Sequence, residues 1–76
     1  MGFILAQRGK FAEAVDHFAA VTKIDPANAD AHYNLGCALL KLEKYPDAAA
    51  EFTETLRLNP KDKNARAKLT LCQAHK

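Results

Sequence analysis

Apolar and polar positions along this chain follow a helical period, and no useful stretch alternates with period two, so helices are predicted and strands are not. Local punctuation divides the pattern into about five helices. The first spans about 2–8 and stops at Gly9, and the second spans about 11–24. A third begins after Asn28, whose side chain suits an N-cap, and reaches about Leu42. The fourth starts near Pro46, placed as a first helical residue, and ends near Leu58. The fifth follows Asp62, again an N-cap type, and runs to about His75. Links of only a few residues predict antiparallel neighbours.

The helices repeat. A shift of 34 residues brings Gly2 onto Gly36, Leu5 onto Leu39, Lys10 onto Lys44 and Phe11 onto Tyr45. The same shift aligns Ala14 with Ala48, Phe18 with Phe52, Ile24 with Leu58 and Pro26 with Pro60, and then Ala31 with Ala65 and Leu35 with Leu69. Glycine inside a helix costs about 1 kcal/mol against alanine, so Gly2 and Gly36 point to close helix–helix approach. Phe18 and Phe52 follow Ala14 and Ala48 by one turn on the same face, giving a notch beside a plug. Pro26 and Pro60 stand where a helix has to end.

Period and residues together resemble the tetratricopeptide repeat family. Within 29–62 the family's pattern reads Leu35-Gly36, Leu39, Ala48, Phe52 and Pro60; His32 takes the place of a usual Trp and Thr55 that of a usual Ala. The resemblance implies an all-α, right-handed helical-hairpin solenoid in one domain: a truncated repeat over 1–28, a full repeat over 29–62 and a capping helix over 63–76. Met1 falls on the slot of Leu35, so the opening helix is expected to lack its first two turns.

In that family the first helix of each repeat lines a concave groove that holds a peptide or another protein. Carried onto this chain by helical spacing, the groove is expected to draw Phe3 (with Ala6 and Gln7) from the first helix. The third helix supplies Asp30, Tyr33, Asn34, Cys37, Leu40 and Lys41, and the fifth Asn64, Lys68 and Leu71 (with Ala67 and His75). An apolar centre inside a polar, partly basic rim is interface anatomy. One subclass of the family clamps the C-terminal carboxylate of chaperones; Asn34 matches its pattern and Lys68 puts a basic residue in the slot of an Arg, but Asn64 and Phe3 replace two of its residues, so that clamp is not expected. Phe3, Ile4 and Leu5 form an apolar end, which predicts a tendency to pair two chains into a homodimer, by contact or by helix exchange.

Bulk properties narrow the rest. With 76 residues, the chain buries only about 60% of the surface its unfolded form exposes. Eleven basic and nine acidic residues leave a net charge of +2, too even to predict a nucleic-acid or membrane partner. A helix-turn-helix reader using Lys61, Lys63, Arg66 and Lys68 is disfavoured because the repeat predicts near-antiparallel stacking. No apolar run is long enough to span a bilayer. Neither a leader peptide nor a myristoylation motif (Ala6 stands where Ser or Thr is wanted) is expected. Two cysteines without a secretory signal predict reduced thiols and a cytoplasmic setting. Cys72 and His75 stand one turn apart, but with no second ligand pair no metal is expected. Cys37 with His75 is the one candidate catalytic pair, and without an orienting group or oxyanion site neither an enzyme nor a cofactor is predicted.

Overall fold

The computed structural model describes residues 2–74, with side chains from residue 9 to residue 74. Four helices make up the described chain: α1 (Gly2–Ile24), α2 (Ala29–Lys41), α3 (Tyr45–Leu58) and α4 (Lys63–Ala74). Each packs on the next, and α4 also reaches α2. The all-α helical-hairpin architecture is as expected, with one difference. The stretches 2–8 and 11–24 form a single helix that runs straight through Gly9. Glycine permits a turn but does not enforce one. A Cβ at Gly9 would meet nothing within 4 Å, so no packed neighbour holds the chain bent there. Met1, His75 and the side chains of Phe3, Ile4 and Leu5 lie outside the described residues.

The helix ends follow local chemistry. The Ala31 amide donates to Asn28 Oδ1 at 3.0 Å, and the Ala65 amide donates to Asp62 Oδ1 at 3.0 Å, so both expected N-caps satisfy an otherwise orphaned donor. Pro46 sits in the first turn of α3, one residue later than expected, because Tyr45 already belongs to the helix. At the end of α2 the Lys44 amide donates to the Leu39 carbonyl at 2.9 Å and the Glu43 amide to the Leu40 carbonyl at 3.0 Å. This is a Schellman termination, and it holds Glu43 at φ 61, in the left-handed region. By the 34-residue shift Glu43 is the counterpart of Gly9.

The core gathers Leu35, Leu39, Ala48, Phe52 and Cys72, with Val15 and Phe18 of α1 and Leu69 of α4 packed against it. Phe52 and Ala48 are wholly buried. A Cβ placed on Gly36 would lie 2.8 Å from Phe52 Cε1 and 2.9 Å from Cζ, so the α2 backbone rests directly on the ring. Thr55, also fully buried, satisfies its hydroxyl by donating to the Glu51 carbonyl at 2.9 Å.

His32, in the place of the family's usual Trp, works as a brace. Its Nε2 donates to the Pro26 carbonyl at 2.9 Å and its Nδ1 meets Glu51 Oε1 at 2.8 Å. Both ring nitrogens therefore face acceptors, an arrangement that suits the imidazolium. Burial opposes the charge, but the hydrogen bonds to Glu51 and Pro26 and the fields of Glu51 and Glu54 outweigh it, and the His32 pKa is raised.

Two predictions follow from this packing. Gly36→Ala gains helix propensity of about 1 kcal/mol but overpacks a buried ring at about 1–3 kcal/mol, so a net loss of up to about 2 kcal/mol is expected in denaturant unfolding. A gain in stability would mean that Phe52 moves freely. For His32, a raised folded pKa adds stability that is fully present below the ordinary imidazole value of 6.5 and is lost as pH rises through the folded value. The wild type is therefore expected to exceed Glu51→Gln in thermal midpoint most near pH 5.5, with the gap narrowing toward pH 8.5; a pH-independent gap would exclude the brace as described.

Candidate functional site

Residues 37, 40 and 41 recur at helical spacing on one face of α2, and 68 and 71 do so on α4. Cys37, Leu40 and Lys41 meet Lys68 and Leu71 around a hollow of about 360 Å³, completed by Glu43 from the α2–α3 loop and Tyr45 from the start of α3. Five of the expected groove residues thus come together. Its apolar part is Cys37, Leu40 and Leu71, and Leu71 is 44% exposed, an aliphatic side chain left in water beside the hollow. Lys41 and Lys68 against the single carboxylate of Glu43 leave the rim basic.

Sequence spacing missed Glu43 and Tyr45. The Schellman turn brings both to the hollow, and helical spacing carries no signal for residues placed by a turn.

The other expected residues lie elsewhere. Asp30 and Asn64 are exposed in the first turns of α2 and α4 and are not among the residues that line the hollow. Tyr33 is half-buried and stands edge-on to Phe52, with ring centroids 5.7 Å apart and planes at 62°, so its ring belongs to the α2–α3 packing. Burial, the Cys37 thiol one turn on and the Asp62 carboxylate raise the Tyr33 phenol pKa. Asn34 opens instead onto a second hollow, of about 240 Å³, on the α1 side of α2, lined by Phe11, Ala14 and Phe18 of α1 with Asn34, Cys37, Ala38 and Lys41. Phe3 lies outside the described side chains.

Cys37 and Cys72 are both free thiols. Cys72 is buried; burial first, then the neighbouring Cys37, pushes its pKa up, which keeps the thiol protonated near neutrality and weakens it as a nucleophile. His75, the other half of the candidate catalytic pair, lies outside the described residues. Among the described residues no group of three or more His, Cys, Asp or Glu is placed to hold a metal ion. No helix among them is long and apolar enough to cross a membrane.

The chain is similar in sequence to known proteins. Over 52 residues the chain is 36% identical to a Hsp70-Hsp90 organizing protein of Triticum aestivum, a match covering 68% of this chain and 9% of that protein. Over 48 residues it is 40% identical to Hsp70-Hsp90 organizing protein 1 of Glycine max, covering 63% of this chain and 8% of the other. The chain thus matches less than a tenth of the length of these curated relatives. The profile described as tetratricopeptide repeat matches residues 4–63 and again 33–76, which takes in all four helices. With the 34-residue spacing and the Gly36–Phe52 contact already in place, these matches make the chain a member of the tetratricopeptide repeat family.

Proposed function

We propose that this chain is a non-catalytic protein-interaction scaffold whose face between α2 and α4 holds a peptide segment of a partner protein. The observation that carries this reading is the hollow of about 360 Å³ with an aliphatic floor and a basic rim. Leu40 and Leu71 offer apolar surface that a partner's side chain would take out of water, and Lys41 and Lys68 flank it with ammonium groups. Such a site favours a segment that carries an aliphatic residue next to an acidic group. The relatives are named for organizing Hsp70 and Hsp90, which makes those chaperones the first proteins to try as partners.

Titration of the ¹⁵N-labelled chain with a short peptide containing Leu and Glu tests the reading. Amide shifts are expected at Cys37, Leu40, Lys68 and Leu71, and the same peptide with Lys in place of Glu should bind more weakly. Leu71→Ala removes about 1 kcal/mol or more of buried apolar contact, so binding should weaken roughly fivefold to tenfold. Shifts confined to α1, or equal binding of the Glu and Lys peptides, would reject this site.

A further inference from the structure

The chain carries two thiols, and both sit where α2 meets α4. Cys72 belongs to the core cluster with Leu35, Leu39, Ala48 and Phe52, and the half-buried Cys37 packs against that cluster. Lys68 lines the α2–α4 hollow together with Cys37. It stands four residues before Cys72 and so shares a face of α4 with it. The backbones of the two helices approach within 8 Å at their closest, near the Cα separation of about 4.4–6.8 Å that a disulfide spans. Cys37 is also close enough to add to the effect of burial in raising the Cys72 pKa. Packing alone does not ask for sulfur at residue 72. By the 34-residue shift its counterpart is Ala38, which is just as buried and fills the same slot with a methyl group.

We propose that Cys37 and Cys72 are a redox pair, which a hydroperoxide converts into a disulfide tying α2 to α4. Cys37 is the sulfur that meets the oxidant, because it is the less buried of the two. Its sulfur attacks the peroxide, an S–O bond forms and the O–O bond breaks. The thiol proton leaves with the departing hydroxide as water, and the sulfur, oxidised by two electrons, becomes a sulfenic acid. Cys72, buried and protonated, is passed over in this step. Its sulfur then attacks that of Cys37: the S–S bond forms, the S–O bond breaks, and the Cys72 proton departs with the hydroxyl as a second water. A thiol such as dithiothreitol reverses the bridge. Bridging closes a loop that takes in the whole of α3 and fixes the spacing of the two helices that wall the hollow. The chemistry does not depend on a peptide binding in that hollow, so it stands or falls apart from the proposed function.

Treatment of the folded, reduced chain with hydrogen peroxide tests the pair. Mass spectrometry should show the loss of two hydrogens from the wild type, peptide mapping should join Cys37 to Cys72 within one chain, and dithiothreitol should restore the starting mass. A loop of this size held shut in the unfolded state should raise the thermal midpoint of the oxidised chain by about 10 °C. Cys72→Ala copies the residue found at 38 and removes the second thiol. Dimedone should then trap about tenfold more sulfenic acid at Cys37 than in the wild type. Equal trapping in the two proteins would overturn the proposal, since Cys72 would not be the thiol that resolves Cys37. Disulfides found only between chains would overturn it as well. So would an internal bridge that lowers the midpoint, because it would then form only at the expense of the fold.

Discussion

Everything in the full repeat depends on the α2 backbone lying on the Phe52 ring. Gly36 permits that approach, since any Cβ there would stand under 3 Å from the ring. With the two helices this close, Leu35, Leu39 and Ala48 close around the ring and exclude water from it. Burying one phenylalanine is worth about 1.5–3 kcal/mol, a large share of what a domain of this size has in hand. Glycine at 36 gives up about 1 kcal/mol of helix propensity to make that possible, so burial wins by a modest margin. The contact also orients α2. It turns Leu35 and Leu39 inward, and by helical spacing leaves Cys37, Leu40 and Lys41 along the face that meets α4.

Much of this was legible in the sequence because it rests on local rules. Asn28 and Asp62 are N-cap types and act as N-caps; Pro60 follows the end of α3 as a residue that cannot continue it. Gly36 and Phe52, matched at 34 residues to Gly2 and Phe18, announced a close approach, and in the full repeat it is present. That Cys37, Leu40 and Lys41 share one face of α2, and Lys68 and Leu71 one face of α4, was readable because helical spacing alone decides it, and these five line one hollow. Tyr33 shows where spacing runs out. Its position was read as groove, but an aromatic ring reaches far enough to pack edge-on against Phe52. Glu43 and Tyr45 enter the hollow through the path of a turn, which hydrophobic pattern does not encode. His32 was readable as a departure from the family's Trp but not as a brace, because its partners Pro26 and Glu51 are separated from it in sequence and meet it only after folding.

The behaviour of residue 9 belongs to a different kind of limit. The same 34-residue unit turns at Glu43 and runs straight at Gly9, although glycine is the residue better suited to turning. Local propensity therefore does not choose between the two. A turn gives up helical hydrogen bonds across the junction and is repaid only if the returning helix buries enough surface. In the full repeat the return spans all 13 residues of α2, from Ala29 to Lys41, and it is flanked by α1 and α4 as well as by α3. The return at Glu43 is therefore held by the packing of α2 against its neighbours on both sides rather than by the residue that stands at the turn.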